Sequence, residues 1–374
     1  MRTRLALVVL AVAACGGAED GGVDLTRPVQ VDVSSTMPDR LSSLNLFTWD
    51  PETAAYTYND EVIPYDINTP LFSDYALKDR AIYVPPGAEP AAYDPVHAFN
   101  FPVGSVVMKS FAFPADFRAP TENVALVETR LLVHFEDGWQ AFPYIWNENQ
   151  TDAVLSPAGE VRSISFVDDS GATTTSSYLI PQKNQCGNCH NRKPDLASTP
   201  VMGLIGPSAR QLQRNGQLEQ LAAANFITGL PALDAITPTT DFRPIEAGGL
   251  AAIASGQLDR AARDYLDANC AHCHNPNGVQ GISSQLFLNH DNTDLQRLGV
   301  CKQPGSAGAG TGGLKYDIVP ANAASSVLYF RVKTTEPGAM MPLIGRSLEH
   351  HRGSELVKAW IDAMPPTDPP NCGQ

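Results

Sequence analysis

Two five-residue stretches, Cys186-Gly187-Asn188-Cys189-His190 and Cys270-Ala271-His272-Cys273-His274, share the spacing Cys-x-x-Cys-His. The two thiols of each copy fall one helical turn apart, and the histidine follows at once. That arrangement suits covalent attachment of a c-type haem. The thiols add to the two vinyl groups, and the histidine lies under the iron as its proximal ligand. The copies use four of the seven cysteines. They predict two covalently bound c-type haems, one on Cys186, Cys189 and His190, the other on Cys270, Cys273 and His274. The alternative is zinc, since a Cys/His cluster with His272 inside it also suits that ion, above all in a reducing compartment.

The N-terminus bears on that choice. Arg2 and Arg4 precede an apolar run from Leu5 to Ala14. A short basic region and an apolar core too short to span a bilayer form a secretory signal. Val12-Ala13-Ala14-Cys15 resembles the lipobox of bacterial lipoproteins, which implies lipidation of Cys15 after cleavage. Gly16 at the next position favours the outer membrane within that resemblance. Export favours haem over zinc. The formal charge is −14, and removal of the two arginines makes it more negative. Nucleic acid is therefore excluded as a partner. An acidic carrier suits a weak, salt-sensitive encounter with a basic patch on a redox protein.

The elements that position the motifs follow from periodicity. Residues 16–36 read as a flexible tether. Residues 37–181 read as an antiparallel β-rich domain. Strands are expected over Ser105–Phe113, Ala125–Phe135 and Ser163–Val167, with a turn at Glu136-Asp137-Gly138. The first motif follows an extended segment with no helix before it. Residues 182–244 form the first haem-binding segment and a linker. Within them a helix is expected over Ser208–Asn225, interrupted near Gly216, and Leu230–Pro244 reads as the linker itself. In residues 245–374, Leu258, Ala262, Tyr265 and Leu266 share one face of a helix that runs into the second motif. A Gly-rich loop at Gly305–Gly313 and a terminal helix over Ser347–Ala363 follow, with Leu348, Leu356, Ala359 and Trp360 as core positions. The expected class is α+β, a β-rich domain followed by mainly helical haem domains.

Three further stretches carry a resemblance. They are Ile63-Pro64-Tyr65-Asp66-Ile67-Asn68-Thr69-Pro70-Leu71-Phe72-Ser73-Asp74-Tyr75, Ile180-Pro181-Gln182-Lys183-Asn184-Gln185-Cys186 and Gly312-Gly313-Leu314-Lys315-Tyr316-Asp317-Ile318-Val319-Pro320. Together they resemble a family of bacterial dihaem c-type cytochromes of poorly defined physiology. The C-terminal third is also similar to class I cytochrome c-like haem domains attached to periplasmic dehydrogenases. There a Pro, a Ser-x-Leu-x-x-Arg segment and a Met-Pro precede the last helix, here Pro320, Ser326–Arg331 and Met341-Pro342. The resemblance implies electron transfer and names no substrate.

The remaining ligands are read against that pattern. Met341 is the expected sixth ligand of the second haem. The residue before a proline is held extended, the Met-Pro pair fits the cytochrome order, and a thioether raises the reduction potential. Met340 is its neighbour and competitor. Arg331 is expected to pair with a haem propionate. For the first haem, Met202 is the nearest later candidate, with His97, His134, His290, His350 and His351 as alternatives. Cys301 and Cys372 remain, and an even remainder in an oxidising compartment predicts one disulfide. The functional expectation is a carrier of single electrons between periplasmic or outer-membrane redox proteins. The alternatives are a haem enzyme or electron-outlet subunit of a peroxidase- or dehydrogenase-type system, and a haem-bearing adhesion or assembly protein.

Overall fold

The computed structural model describes residues 23–193, 198–278 and 284–373. The signal-like segment, Cys15 and the start of the expected tether lie outside the described residues. The rest of the tether is tied down. Val29 is buried, and Asn45 donates to the carbonyls of Asp24 and Arg27 at 2.7 and 2.8 Å. Helix and strand each make up 25% of the chain, an α+β content. Among the described residues, no helix is long and apolar enough to cross a membrane.

Two short strands, β1 (Phe47–Asp50) and β2 (Ala55–Tyr58), form a hairpin. Next come β3 (Val62–Pro64), β4 (Leu77–Tyr83), β5 (Ala91–Ala92), β6 (Val106–Pro114), β7 (Val124–Phe135), β8 (Gly138–Trp146) and β9 (Ala153–Leu155). Six of them make one antiparallel sheet in the order β3-β4-β6-β7-β8-β9. The β7–β8 turn falls at the expected Glu136–Gly138, with Phe135 opposite Gly138. Strand β5 pairs in parallel with Ile227–Thr228. A second hairpin joins β10 (Glu160–Val167) to β11 (Thr173–Ile180).

Both faces of the large sheet are covered, so β6 is apolar almost throughout. One face holds Leu41, Leu44, Met108, Leu131 and Tyr144. The other holds Ile82, Val107 and Trp139 under Phe99, Phe101, Leu212 and Leu218. Further along that second face, Phe111, Phe113 and Val127 meet Phe166, Tyr178 and Ile180 of the second hairpin. A bulge after Phe111 sets Ala112 opposite Leu126 and leaves Val127 unpaired.

The expected 208–225 helix is two short ones, Ala209–Leu212 and Gln217–Ala223. Gly216 between them adopts φ +73, a conformation that L side chains disfavour. The Pro-rich 230–244 stretch packs rather than crossing solvent, with Ile236 and Phe242 buried. The helix before the second motif spans Leu258–Leu266 and buries Ala261, Ala262, Tyr265 and Leu266. It packs against the terminal helix, His351–Asp362, in one cluster with Leu356, Val357, Trp360 and Ile361. The terminal helix begins later than expected. Ser347 and Leu348 instead donate their amides to Asp74 at 2.7 and 2.9 Å, and Leu348 packs beside the second hairpin.

Candidate functional site

The first motif is a helical turn. Lys183–Cys186 is a 3-10 turn closed by reciprocal bonds between Gln182 and Gln185, and Gly187–His190 continues it. His190 Nδ1 lies 2.9 Å from the carbonyl oxygen of Gly203, whose amide donates back to the carbonyl of His190 at 2.9 Å. The carbonyl fixes the imidazole and leaves Nε2 as its free nitrogen. Burial pushes the His190 pKa down to about 4, so the ring is neutral at neutral pH, as a metal ligand must be.

The second motif continues the Leu258–Leu266 helix through a widened turn, Asp267–Ala271. The amides of Cys273 and His274 both bond to the carbonyl of Cys270, at 3.1 and 2.9 Å, which sets Cys270 and Cys273 one turn apart. Burial lowers His274 to about 4 and raises the Cys270 thiol to about 12. His274 Nδ1 lies 3.4 Å from Ser284 Oγ.

The two motifs meet. Cys189 Sγ, Cys273 Sγ and a ring nitrogen of His272 lie within 4.8 Å of one another. The hydrogen bond with Cys273 holds the Cys189 thiol below its usual range and pushes Cys273 above it. Cys273 Sγ also lies 3.2 Å from the carbonyl oxygen of Asn188, a second acceptor for its one S–H. Arg192 Nη1 joins the carbonyls of Cys189, at 3.0 Å, and His272. The main chain adds a bridge between Arg192 and Gly278. A Cβ on Gly278 would run into the carbonyl of Cys273, so only glycine fits there.

The other expected site residues divide. Cys301 and Cys372 are joined, with Cα atoms 5.4 Å apart, whereas the four motif cysteines are unbonded. Met341 is placed by two arginines. Its amide donates to the carbonyl of Arg331 at 2.8 Å, and its carbonyl accepts from Arg346 Nε at 3.0 Å. Arg346 also bonds the carbonyls of Leu348, Arg331 and Thr334. The Arg346 charge reaches Cys270 and the Arg331 charge reaches His274, so the methionine loop lies beside the second motif. Arg331 Nε bonds the carbonyl of Ala339 at 2.8 Å, which commits part of the guanidinium to that loop.

Met202 stands opposite Asn191 in a two-residue ladder, next to the Gly203 that backs His190. Its strand therefore lies behind the imidazole, and a ligand facing Nε2 must come from the other side. The Met202 side chain instead lines a cavity of about 290 Å3 with His97, Trp139 and Arg192. The alternative histidines have other partners. His134 bonds the carbonyl of Phe101 and stacks on Trp139, His290 faces Asp267, and His350 lies between Tyr265 and Glu246. His97 pairs with Asp94 and His351 with Glu349.

Sequence reasoning missed three residues that build the site: Arg192, Arg346 and His272 in its contact with the first motif. Each acts through contacts distant in sequence, and no local pattern marks them. The donor set fits haem. Each motif offers two unbonded thiols one turn apart and one neutral imidazole. His272 Nδ1, buried and without a hydrogen-bond partner among the described residues, is an additional nitrogen at the junction of the motifs. Comparison with protein-family models, curated proteins and solved structures finds no match for this chain.

Proposed function

We propose that the chain is an exported dihaem c-type cytochrome, lipid-anchored through Cys15 at the periplasmic face of the outer membrane. It would pass single electrons between redox proteins of the cell envelope. The observation that carries this reading is the state of the two motif histidines. Both are half-buried and neutral, and a carbonyl at His190 and a hydroxyl at His274 face Nδ1, leaving Nε2 to a metal. When bound, haem supplies a one-electron couple at each motif. Cys186, Cys189, Cys270 and Cys273 would hold the two groups, and His190 and His274 would serve as proximal ligands. Arg346 and Arg331 orient the loop from which Met341 would approach the second.

The finer fold belongs to the same proposal. The helices before and after the second motif cross where Gly353 meets the Tyr265 hydroxyl. That crossing supports a class I cytochrome c-like arrangement for residues 245–374, beside a β-rich domain and a first haem-binding segment.

The test is mass spectrometry of the mature chain after acid-acetone extraction. Two retained haems are expected, and loss of either refutes covalent attachment. A second reading rests on one specific observation, the Cys189–His272–Cys273 cluster. Two thiols and an imidazole this close suit a soft divalent ion such as zinc. One equivalent of zinc and no haem in the purified protein would establish that reading instead.

A further inference from the structure

The middle of the large sheet carries a row of cations. Arg80 on β4 stands directly opposite Lys109 on β6, and Lys109 directly opposite Arg130 on β7. Directly opposed residues share a face with Cβ atoms about 4.5–5.5 Å apart, and like charges so placed are destabilising. Lys78, two residues before Arg80, adds a fourth cation to the same face.

The row is not a solvated surface. Arg80 is 6% exposed, and Lys78, Lys109 and Arg130 are half-buried. One carboxylate on this face answers them. Glu128, fully buried, pairs with Arg130 through bonds of 2.7 and 2.5 Å and accepts the Tyr178 hydroxyl at 2.7 Å. Asp74 and Glu246 lie within electrostatic reach of Lys78, but Asp74 is bonded to Ser176, Ser347 and Leu348 and Glu246 to His350. Arg80 Nη1 donates to the carbonyl of Lys78 at 3.3 Å, Asp66 and Asp79 lie within electrostatic reach of the guanidinium, and among the described residues its buried Nη2 has no hydrogen-bond partner. Among the described residues, no hydrogen bond or ion pair reaches Lys109 Nζ. That group lies 4.9 Å from the centre of the Phe111 ring, which Arg130 also covers at 4.4 Å.

A buried guanidinium with an unpartnered Nη2 and a half-buried ammonium with no ion pair among the described residues are costly. Burial drives both lysines below the usual range, Lys78 to about 7. Of the row, Arg130 lies within electrostatic reach of Cys186 in the first motif. We propose that Arg80, Lys109 and Arg130, with Lys78, form an anion site that takes the carboxylates of a bound molecule. Guanidinium forks match carboxylate geometry, and among the described residues Glu128 is the only carboxylate hydrogen-bonded to the row. Two sources carry this chemistry. One is the propionates of a haem attached at Cys186 and Cys189, which rests on the function proposed above. The other is a free polycarboxylate, which does not.

The experiment uses the mature full-length protein and its R80Q, R80K and K109Q variants. Citrate binding is measured by calorimetry, and midpoint potentials by spectroelectrochemical titration with haem counted per chain. Removing a cation beside an iron centre favours the oxidised state. With propionates in the site, citrate gives no heat. R80Q and K109Q then lower one of the two potentials at unchanged haem content, and R80K restores most of the shift. With a free polycarboxylate, citrate binds one site, and R80Q and K109Q weaken it at least tenfold. No citrate binding together with unshifted potentials overturns the proposal. Should the purified chain carry no haem, the electron-transfer reading fails, and the citrate titration alone decides the anion site. K109Q removes no hydrogen bond among the described residues, so it serves as the test if R80Q fails to fold.

Discussion

The amide of Lys193 donates to the carbonyl of Asn277 at 2.9 Å, so the strand leaving the first motif pairs with the loop leaving the second. Arg192 completes the junction by binding the carbonyls of Cys189 and His272. Hydrogen bonds from a charged donor contribute about 1.5–3 kcal/mol each. Arg192→Ala is expected to cost roughly that amount, read as a lower urea midpoint at unchanged slope. Arg192→Lys should recover little, because a single ammonium does not reproduce the planar fork. An unchanged midpoint in Arg192→Ala would leave the junction to the main chain alone.

On the proposed dihaem reading, Met341→Ala should lower the potential of the haem at the second motif and remove the weak long-wavelength band of sulfur-to-iron ligation. Met340→Ala should leave both in place. Reversed behaviour would assign the ligand to Met340. Two silent variants would move the sixth ligand out of this loop.

Lys78 sets a pH dependence for protein in which no anion answers the row. Its folded pKa is depressed to about 7 by burial, with Arg80 adding to the effect and Glu246 and Asp74 opposing it. Arg130 also lowers it, and Glu128 faces it from the neighbouring strands. Between pH 7 and the usual lysine value near 10.4, the unfolded chain binds the proton and the folded chain does not. Stability therefore rises with pH across that window. Lys78→Met should flatten the slope, and a bound carboxylate should do the same. Denaturant midpoints at pH 7, 8.5 and 10 measure it, and a flat profile in the anion-free wild type refutes the assignment.

The Cys301–Cys372 bond closes a loop with a sequence separation of 71. Chain entropy gives such a bond about 2–4 kcal/mol. Cys372→Ala should lower thermal stability accordingly, and non-reducing peptide mapping of the wild type should show the linked pair. Two freely alkylated thiols in the oxidised protein would remove the bond from the account.

Gly353 sits inside the terminal helix, where alanine is ordinarily better by about 1 kcal/mol. Here a Cβ would overlap the Tyr265 hydroxyl and press on His350 Nδ1 at 2.8 Å. Overpacking costs about 1–3 kcal/mol, and Tyr265 is fixed between Phe242 and His350. Gly353→Ala should therefore lower the melting temperature. A rise would mean that the two helices separate without penalty.

Much of the fold is legible in short windows of sequence. The strands around Met108, Leu131 and Phe166 alternate or run apolar, the 258–266 helix shows its buried face, and Gly216 breaks the helix where its φ demands. Both motifs are legible too, since their chemistry is local. Their contact is not, because nothing near Cys189 signals Cys273. The cation row is hidden for the same reason. Arg80, Lys109 and Arg130 lie on three strands, and only the register sets them side by side. Met202 shows the limit of proximity in sequence, since only the short ladder with Asn191 shows that its strand adjoins the Gly203 behind His190.

Asp74 has a wider consequence. Buried at 1% exposure, it accepts from Ser176 on the second hairpin and from Ser347 and Leu348 at the entrance to the terminal helix. In sequence order, residues 245–374 look like a cassette that a gene could gain or lose whole. A carboxylate from the β-rich part fixes the way into that cassette's last helix, and Asn269, one residue before the second motif, holds the amide of Phe72 at 2.8 Å. Cut out at its apparent boundary, the cassette would leave both partners behind. Such a unit would have to refold without the carboxylate and the amide that its last helix and its motif hold here.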